Sequence, residues 1–339
     1  MANRDILAIG ASAGGVEALV FLAQNLPRDF PAAVLVTVHI SAEAGSVLDE
    51  VLDRAGPLPA TFANEYERLR KGHIYIAPVD RHLIVEGERL VLGRGARENN
   101  SRPAIDPMLR SAAVCCGSRT VGAILTGTLN DGASGLWAVD KCGGITVVQD
   151  PHDAEFSEMP MNALGRVRPD HVVSLAAMPK LLTSLASEPA GDIMPIPATL
   201  EFETNVAKGK NSTIDEMDRI GRRSGLACPD CHGAMWEIDE GDLTRFRCHV
   251  GHTYVAERLT LALDENLRRA LGTALRALEE RRSLTRRLEM QAGQNNQRHL
   301  AISWARKAHE IEQELETIRS SIVRLDEIVR QAAANKAAE

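Results

Sequence analysis

Apolar and polar positions change rhythm three times along this chain. Over residues 1–187, short apolar runs rich in β-branched residues alternate with helix-like stretches. The runs are ILAIG (6–10), AAVLVTVH (32–39), IYIAP (74–78), GAILTG (122–127), GITVVQD (144–150) and HVVSL (171–175). Helical spacing covers residues 16–26, 46–54, 105–116 and 133–141. Near-continuous apolar strands separated by helices predict a parallel sheet covered on both faces. HLIVEGERLVLG (82–93) breaks the rhythm, because two strand-like runs flank Glu-Gly-Glu and predict an antiparallel hairpin. The expected fold is a doubly wound, mostly parallel α/β domain over 1–187 with that hairpin inserted.

From 188 to 224 the pattern dissolves into proline-rich and polar sequence, which reads as a linker with a short helix near its end. Residues 225–254 form a small unit rich in cysteine and histidine. Residues 255–339 are helical, and Ala308, Ile311, Leu315, Ile318, Ile322, Leu325 and Val329 recur at three–four spacing. That is a coiled-coil seam. QAGQNNQRH (291–299) interrupts it and predicts a bend between two helices. The helices pair with each other, with a second copy of the chain, or with a partner helix.

Composition narrows the function. Of 339 residues, 44% are hydrophobic and 25% charged, as in soluble folded proteins. A net charge of −7 and only 4% aromatic residues argue against a nucleic-acid partner. No apolar run reaches the roughly 18–20 residues of a membrane span, and no signal-like N-terminus is present. The cysteines do not form a secreted disulfide pattern, so a cytoplasmic location is expected.

The candidate chemistry starts at DILAIGASAGGVEAL (5–19). Ser12 sits where the first strand turns into the first helix, among small residues that tolerate a sharp turn. The following helix offers free N–H groups to a developing oxyanion. Ser12 could instead be only a helix N-cap, and the glycines could cradle a pyrophosphate, although their spacing is not Gly-x-Gly-x-x-Gly. A nucleophilic serine needs a base and an orienting acid. His39 ends the second strand and Asp131 lies in the loop after a later one, so both emerge on the same sheet edge as Ser12. The three suit a Ser-His-Asp triad.

IGASAGG, the strand ending in His39, YIAPVDRHL, RPAIDPMLRSAA, ILTGTLNDGASG and GGITVVQDPHDAEFSEMPMNAL occur in an order and spacing that resembles the chemotaxis-receptor methylesterase family, the CheB type. The resemblance covers residues 4–187. It implies a serine hydrolase that demethylates glutamate methyl esters on receptor helices through an acyl-enzyme. Deamidation of glutamine, which many members perform, is implied as an extension. Ser12 is then the nucleophile, His39 the base and Asp131 the orienting acid. The backbone N–H groups of Ala13 and Thr128 are the oxyanion donors, and catalysis needs no cofactor. The sequence departs from the family in reading Thr126-Gly127-Thr128-Leu129 where Thr-Gly-Met-Gly is usual. Family members also carry an N-terminal receiver domain that this sequence does not show, so restraint is expected from the C-terminal half or a partner. Asp80 and His82 are expected to stabilise the hairpin, and Met159 to pack near the rim of the site.

In CPDCHGAMWEIDEGDLTRFRCHVGH, Cys228, Cys231, Cys248 and His252 are spaced to surround one tetrahedral ion, most simply a structural Zn²⁺. His249 is the rival fourth ligand and His232 a weaker one. The tail is similar to that of standalone methylesterase-like proteins. The expected partners are a methylated receptor or another protein substrate, with self-association through the C-terminal helices. The alternative function is a regulatory scaffold with little or no turnover, working through the zinc module and the coiled coil.

Overall fold

The computed structural model describes residues 3–39, 47–210, 212–240 and 243–338. Two compact units divide the chain, residues 1–258 and 259–339. The first is built on β1 (Ile6–Ala11), α1 (Gly15–Asn25), β2 (Ala33–Val38), α2 (Leu48–Ala55), β3 (Ala60–Phe62) and β4 (Ile74–Ile76). Residue 46, where sequence spacing starts the second helix, lies outside the described residues. Next come the hairpin β5 (His82–Glu86) and β6 (Arg89–Gly93), then α3 (Ile105–Cys116), β7 (Thr120–Ile124) and α4 (Ala133–Lys141). β8 (Ile145–Gln149), α5 (Glu158–Leu164), β9 (His171–Val173) and α6 (Met178–Ser187) complete the α/β fold.

Seven strands form one parallel sheet in the order β3-β4-β2-β1-β7-β8-β9. The strands are apolar on both faces because both faces are covered. Leu7, Ile9, Ala11, Val34, Val36 and Val38 join the core that holds Leu19, Leu22, Leu52 and Leu182 from α1, α2 and α6. Ile6, Ala8, Leu35 and Tyr75 join the opposite core with Met108, Leu109, Leu136 and Met159. Each large side chain so buried contributes about 1.5–3 kcal/mol. After β1 the chain winds outward to one side, and from β7 to the other. The β1–β7 boundary is therefore the switch point where open α/β sheets bind ligands.

The hairpin is a separate two-stranded sheet turning through Gly87 at φ +59°. It is fixed to α3 by the Val85 N–H, which donates to Ser111 Oγ at 3.0 Å. His82 is buried, with Nε2 bonded to Ala96 O at 2.9 Å and Nδ1 accepting from Ala104 N–H at 3.3 Å.

Residues 188–224 hold more structure than a linker. They contain α7 (Ala198–Ala207) and α8 (Ile214–Ile220), the latter opened by a Thr213–Glu216 capping box. Leu200 and Glu203 of α7 are fully buried. The prolines that precede α7 give the segment a linker-like composition, and the partners of its one buried carboxylate lie in distant sequence. Arg110 sits 3.8 Å from Glu203, Arg245 2.7 Å and Arg247 2.9 Å. Glu98 pairs with Arg110 at 2.6 Å and lies 3.6 Å from Arg247. This cluster joins α3 and α7 to the next sheet, which consists of β10 (Arg222–Ala227), β11 (Ala234–Glu240), β12 (Leu243–Cys248) and β13 (Thr253–Val255) in antiparallel order.

The second unit is a helical hairpin of α9, which spans Ala256–Gln294 and so starts in the first unit, and α10 (Arg298–Ala338). Cross-helix ion pairs Arg268–Asp326, Arg282–Glu312 and Arg319–Glu279 run in opposite senses along the two helices, as antiparallel packing requires. Ala308, Ile311 and Leu315 of the expected seam are buried, while Ile318, Ile322 and Leu325 are half-buried. The Val329 side chain lies outside the described set. No described helix is long and apolar enough to cross a membrane.

Candidate active site

Ser12 directly follows β1 at the switch point, and its N–H donates to Thr126 O at 3.0 Å. The turn is tight because its neighbours are small. Gly14 adopts φ +69°, and a Cβ there would stand 2.6 Å from the Glu155 carboxylate. A Cβ on Gly127 would stand 2.8 Å from the Ser12 Cβ. His39 follows β2, and Asp131 lies in the loop between β7 and α4. The His39 Nε2 and Asp131 Oδ2 are 2.8 Å apart. A carboxylate accepts only, so in the neutral ring Nε2 carries the proton and Nδ1 is the accepting nitrogen. Asp131 Oδ2 also accepts from Ile105 N–H at 2.6 Å, and Oδ1 from Asp106 N–H at 3.2 Å. Burial works against its charge, but the His39 contact and these N–H groups outweigh burial and hold the carboxyl below its usual range.

Ser12, His39, Thr128 and Asp131 line one cavity of about 40 Å³, whose wall also includes Asn99, Val255 and Arg258. That is roughly the volume of one water molecule. A further cavity of about 160 Å³ adjoins the other side of His39, between Val38, Ala77, Val79 and Pro103. The N–H groups of Ala13 and Thr128 have no acceptor among the described residues. A larger cavity, about 430 Å³, lies around Cys115, Cys116, Ile193 and Met194, and none of Ser12, His39 and Asp131 reaches it. Cys142 is fully buried, whereas Cys115 and Cys116 are only half-buried.

The altered loop keeps a glycine-like shape without the glycine. Leu129 adopts φ +67°, a region costly for a side chain with a Cβ. It is held there by Glu158, which accepts from Leu129 N–H at 3.1 Å, and by Asn162, which donates to Leu129 O at 2.7 Å. Met159 packs fully buried against Gly127.

Sequence reasoning passed over Asn99, Asp106, Val255 and Arg258. Asp106 stands within RPAIDPM, directly before Pro107, and is completely buried. Its carboxyl is driven well above the usual range by burial and by the Asp131 charge. Val255 and Arg258 gave no local signal, because only the docking of β13 brings them to the cavity.

In the small sheet, Cys228, Cys231, Cys248 and His252 present ligand atoms all within 4.8 Å of one another. The Cys231 and Cys248 sulfurs are 3.7 Å apart, and Cys248 Sγ is 3.5 Å from His252 Nδ1. Tetrahedral Zn²⁺ with bonds of about 2.3 Å to sulfur and 2.0–2.1 Å to nitrogen spaces its ligands by about 3.5–3.8 Å. The donor set fits such an ion. His252, and neither His249 nor His232, belongs to it. The far ring nitrogen of His252 lies 3.8 Å from Asp230 Oδ2, which Tyr254 also engages.

A family model for the CheB methylesterase matches residues 7–182. A Leptospira interrogans protein, provisionally named protein-glutamate methylesterase/protein-glutamine glutaminase, is 34% identical over 184 residues, 54% of this chain and 95% of that one. A protein-glutamate methylesterase/protein-glutamine glutaminase of Myxococcus xanthus is 38% identical over 180 residues, 53% of this chain and 51% of its own. The crystal structure of the Thermotoga maritima CheB methylesterase catalytic domain superposes with a TM-score of 0.52 at 31% identity, covering 55% of this chain and all of that one. The chain belongs to the CheB methylesterase family, a family of carboxylic-ester hydrolases.

Proposed function

We propose that the first unit hydrolyses glutamate methyl esters on a chemoreceptor-like protein, and deamidates glutamine at the same kind of position. The observation that carries this reading is the His39–Asp131 hydrogen bond beside Ser12, with the unengaged N–H groups of Ala13 and Thr128 on the same loop edge. Ser12 Oγ attacks the ester carbonyl while His39 Nδ1 takes its proton. The oxyanion is held by Ala13 N–H and Thr128 N–H until the C–O bond breaks. His39 then returns the proton to the departing methoxide, and methanol leaves an acyl-enzyme. Water, deprotonated by His39, attacks this ester and frees both the glutamate carboxylate and Ser12. For glutamine the leaving group is ammonia.

The test is methanol release from carboxymethylated receptor membranes, together with covalent labelling of Ser12 by a fluorophosphonate. Release and labelling that both disappear in Ser12→Ala support the reading. An intact protein that does neither overturns it, and favours the scaffold. The proposed substrate places the protein in the cytoplasm.

The cavity beside Ser12, about 40 Å³, is narrow for a methyl ester side chain, and trimming its wall should ease entry. Arg258 is the candidate, since it lines this cavity and its Nε is buried without a hydrogen bond among the described residues. Arg258→Ala is expected to raise kcat/KM for a small methyl ester about fivefold or more, roughly 1 kcal/mol of barrier. Steady-state kinetics on the full chain checks it, and an unchanged value would exonerate Arg258 as the obstruction.

We further propose that Cys228, Cys231, Cys248 and His252 hold a structural Zn²⁺, which would supply much of the folding energy of this small sheet. Four protein ligands leave no open position for substrate. Metal analysis should find one zinc per chain, lost from Cys228→Ser. Chelation should expose residues 222–255 to protease while Ser12 stays within a folded α/β core. Equal protease resistance with and without chelator would remove the metal from the account.

A further inference from the structure

Asn99 stands between two buried carboxylates. Its Nδ2 donates to Asp131 Oδ1 at 3.2 Å and to Asp106 Oδ2 at 3.0 Å. Its Oδ1 accepts from Val255 N–H at 3.4 Å, and its own N–H donates to Thr253 O at 2.8 Å. The residue is 8% exposed and sits at φ +50°. Its amide has only one workable orientation. Turned over, the amide oxygen would face two carboxylates and the amide nitrogen would face an N–H.

We propose that Asn99 is a positioning residue for the catalytic carboxylate, an inference that rests on the triad reading. Asp131 Oδ2 is committed to His39 and Ile105 N–H, so the rotation of the carboxylate is set by what holds Oδ1. Two donors do so, Asp106 N–H and Asn99 Nδ2. Asn99 also places a neutral donor group between the oxygens of Asp106 and Asp131, which otherwise repel across a buried gap. Its amide nitrogen is spent on the two carboxylates, so it acts on the reaction through Asp131. Because Asn99 Oδ1 is taken by β13, the last strand of the cysteine-containing sheet fixes the direction in which the amide points.

The test uses the full chain and three variants: Asn99→Ala, Asn99→Asp, and Asn99→Asp combined with Asp106→Asn. kcat and KM are read from methanol release, and the rate of fluorophosphonate labelling reports Ser12 activation without the receptor. A misplacement of about 1 Å costs about 100-fold, so Asn99→Ala should lower kcat about 10- to 100-fold with KM within twofold. Asn99→Asp should fall further, because it sets an oxygen against both carboxylates. The double variant relieves the contact with residue 106 but still sets an oxygen against Asp131 Oδ1, so its kcat should stay at least about tenfold below the parent. A kcat within twofold of the parent in Asn99→Ala overturns the proposal. So does a double variant whose kcat returns to within twofold of the parent, because it restores no donor to Asp131 Oδ1. A parent chain that neither releases methanol nor labels overturns the esterase reading, and this inference with it. A parent that does both at a rate Asn99 does not alter overturns this inference alone.

Discussion

Asp131→Asn is expected to lower kcat about 10⁴-fold while leaving the fold intact. The carboxylate accepts four hydrogen bonds, from His39 Nε2, Ile105 N–H, Asp106 N–H and Asn99 Nδ2. An amide in its place has one accepting oxygen. If that oxygen keeps the short Ile105 contact, the His39 Nε2–H still has an acceptor, but no negative charge stabilises the imidazolium. If the amide nitrogen turns toward His39, the ring must present Nε2 as an acceptor, so its proton moves to Nδ1. Nδ1 then cannot take the Ser12 proton. The first arrangement weakens the base, the second removes it, and both leave Ala13 N–H and Thr128 N–H in place. Ser12→Ala should lose more, with only the residual rate of a site that binds and polarises the carbonyl. The measurement is single-turnover methanol release beside fluorophosphonate labelling. An Asp131→Asn variant within tenfold of the parent would exclude Asp131 as the orienting acid.

How much of this was legible in the sequence depends on the range over which each signal acts. The strands and α3 and α4 could be read because each carries its own periodicity, and the expected spans for α3 and α4, 105–116 and 133–141, coincide with the helices observed. The positions of Ser12, His39 and Asp131 at strand ends followed from the same local pattern, and the parallel order of β2, β1 and β7 brings those ends together. β3 is Ala-Thr-Phe, three residues without the longer apolar run that extends around β4, and α5 is seven residues, too short for a helical period to show. α7 was hidden for a different reason. Its buried face includes Glu203, a residue that normally marks solvent. What permits Glu203 to be buried is three arginines contributed by residues 110, 245 and 247. Asn99 was missed on the same principle, since its role exists only where three separate segments meet. A carboxyl or amide in a polar stretch carries no sign in sequence of whether water or protein will satisfy it.

The buried ionic cluster should make Glu203 one of the most sensitive positions for stability. Glu203→Ala is expected to destabilise the first unit by about 3–5 kcal/mol, because Arg110 and Arg247, 0–1% exposed, would keep only Glu98 as a carboxylate partner among the described residues and Arg245 would lose its 2.7 Å contact. Burial opposes the Glu203 charge, but Arg245, Arg110 and Arg247 together override it and hold the carboxyl far below its usual range. The sign of the pH dependence follows. A carboxyl depressed in the folded state contributes stability above its unfolded pKa, near 4.5, and loses it as pH falls toward the lower folded value. The gap between the parent and Glu203→Gln should therefore be full at pH 7 and narrow progressively below about pH 4.5. Urea denaturation followed by Trp236, on the cysteine-containing sheet, reads the loss. The exposed Arg54–Glu50 pair serves as a control, and Glu50→Ala should cost under about 1 kcal/mol. Equal costs at the two positions, or a Glu203→Gln penalty that does not shrink in acid, would mean that the arginines are satisfied without this carboxylate. The larger cost at Glu203 would instead identify it as the pin that seats β12 against α3. The same seating presents β13 to Asn99, and on the proposal above it would couple the stability of the small sheet to the geometry of the Asp131 carboxylate.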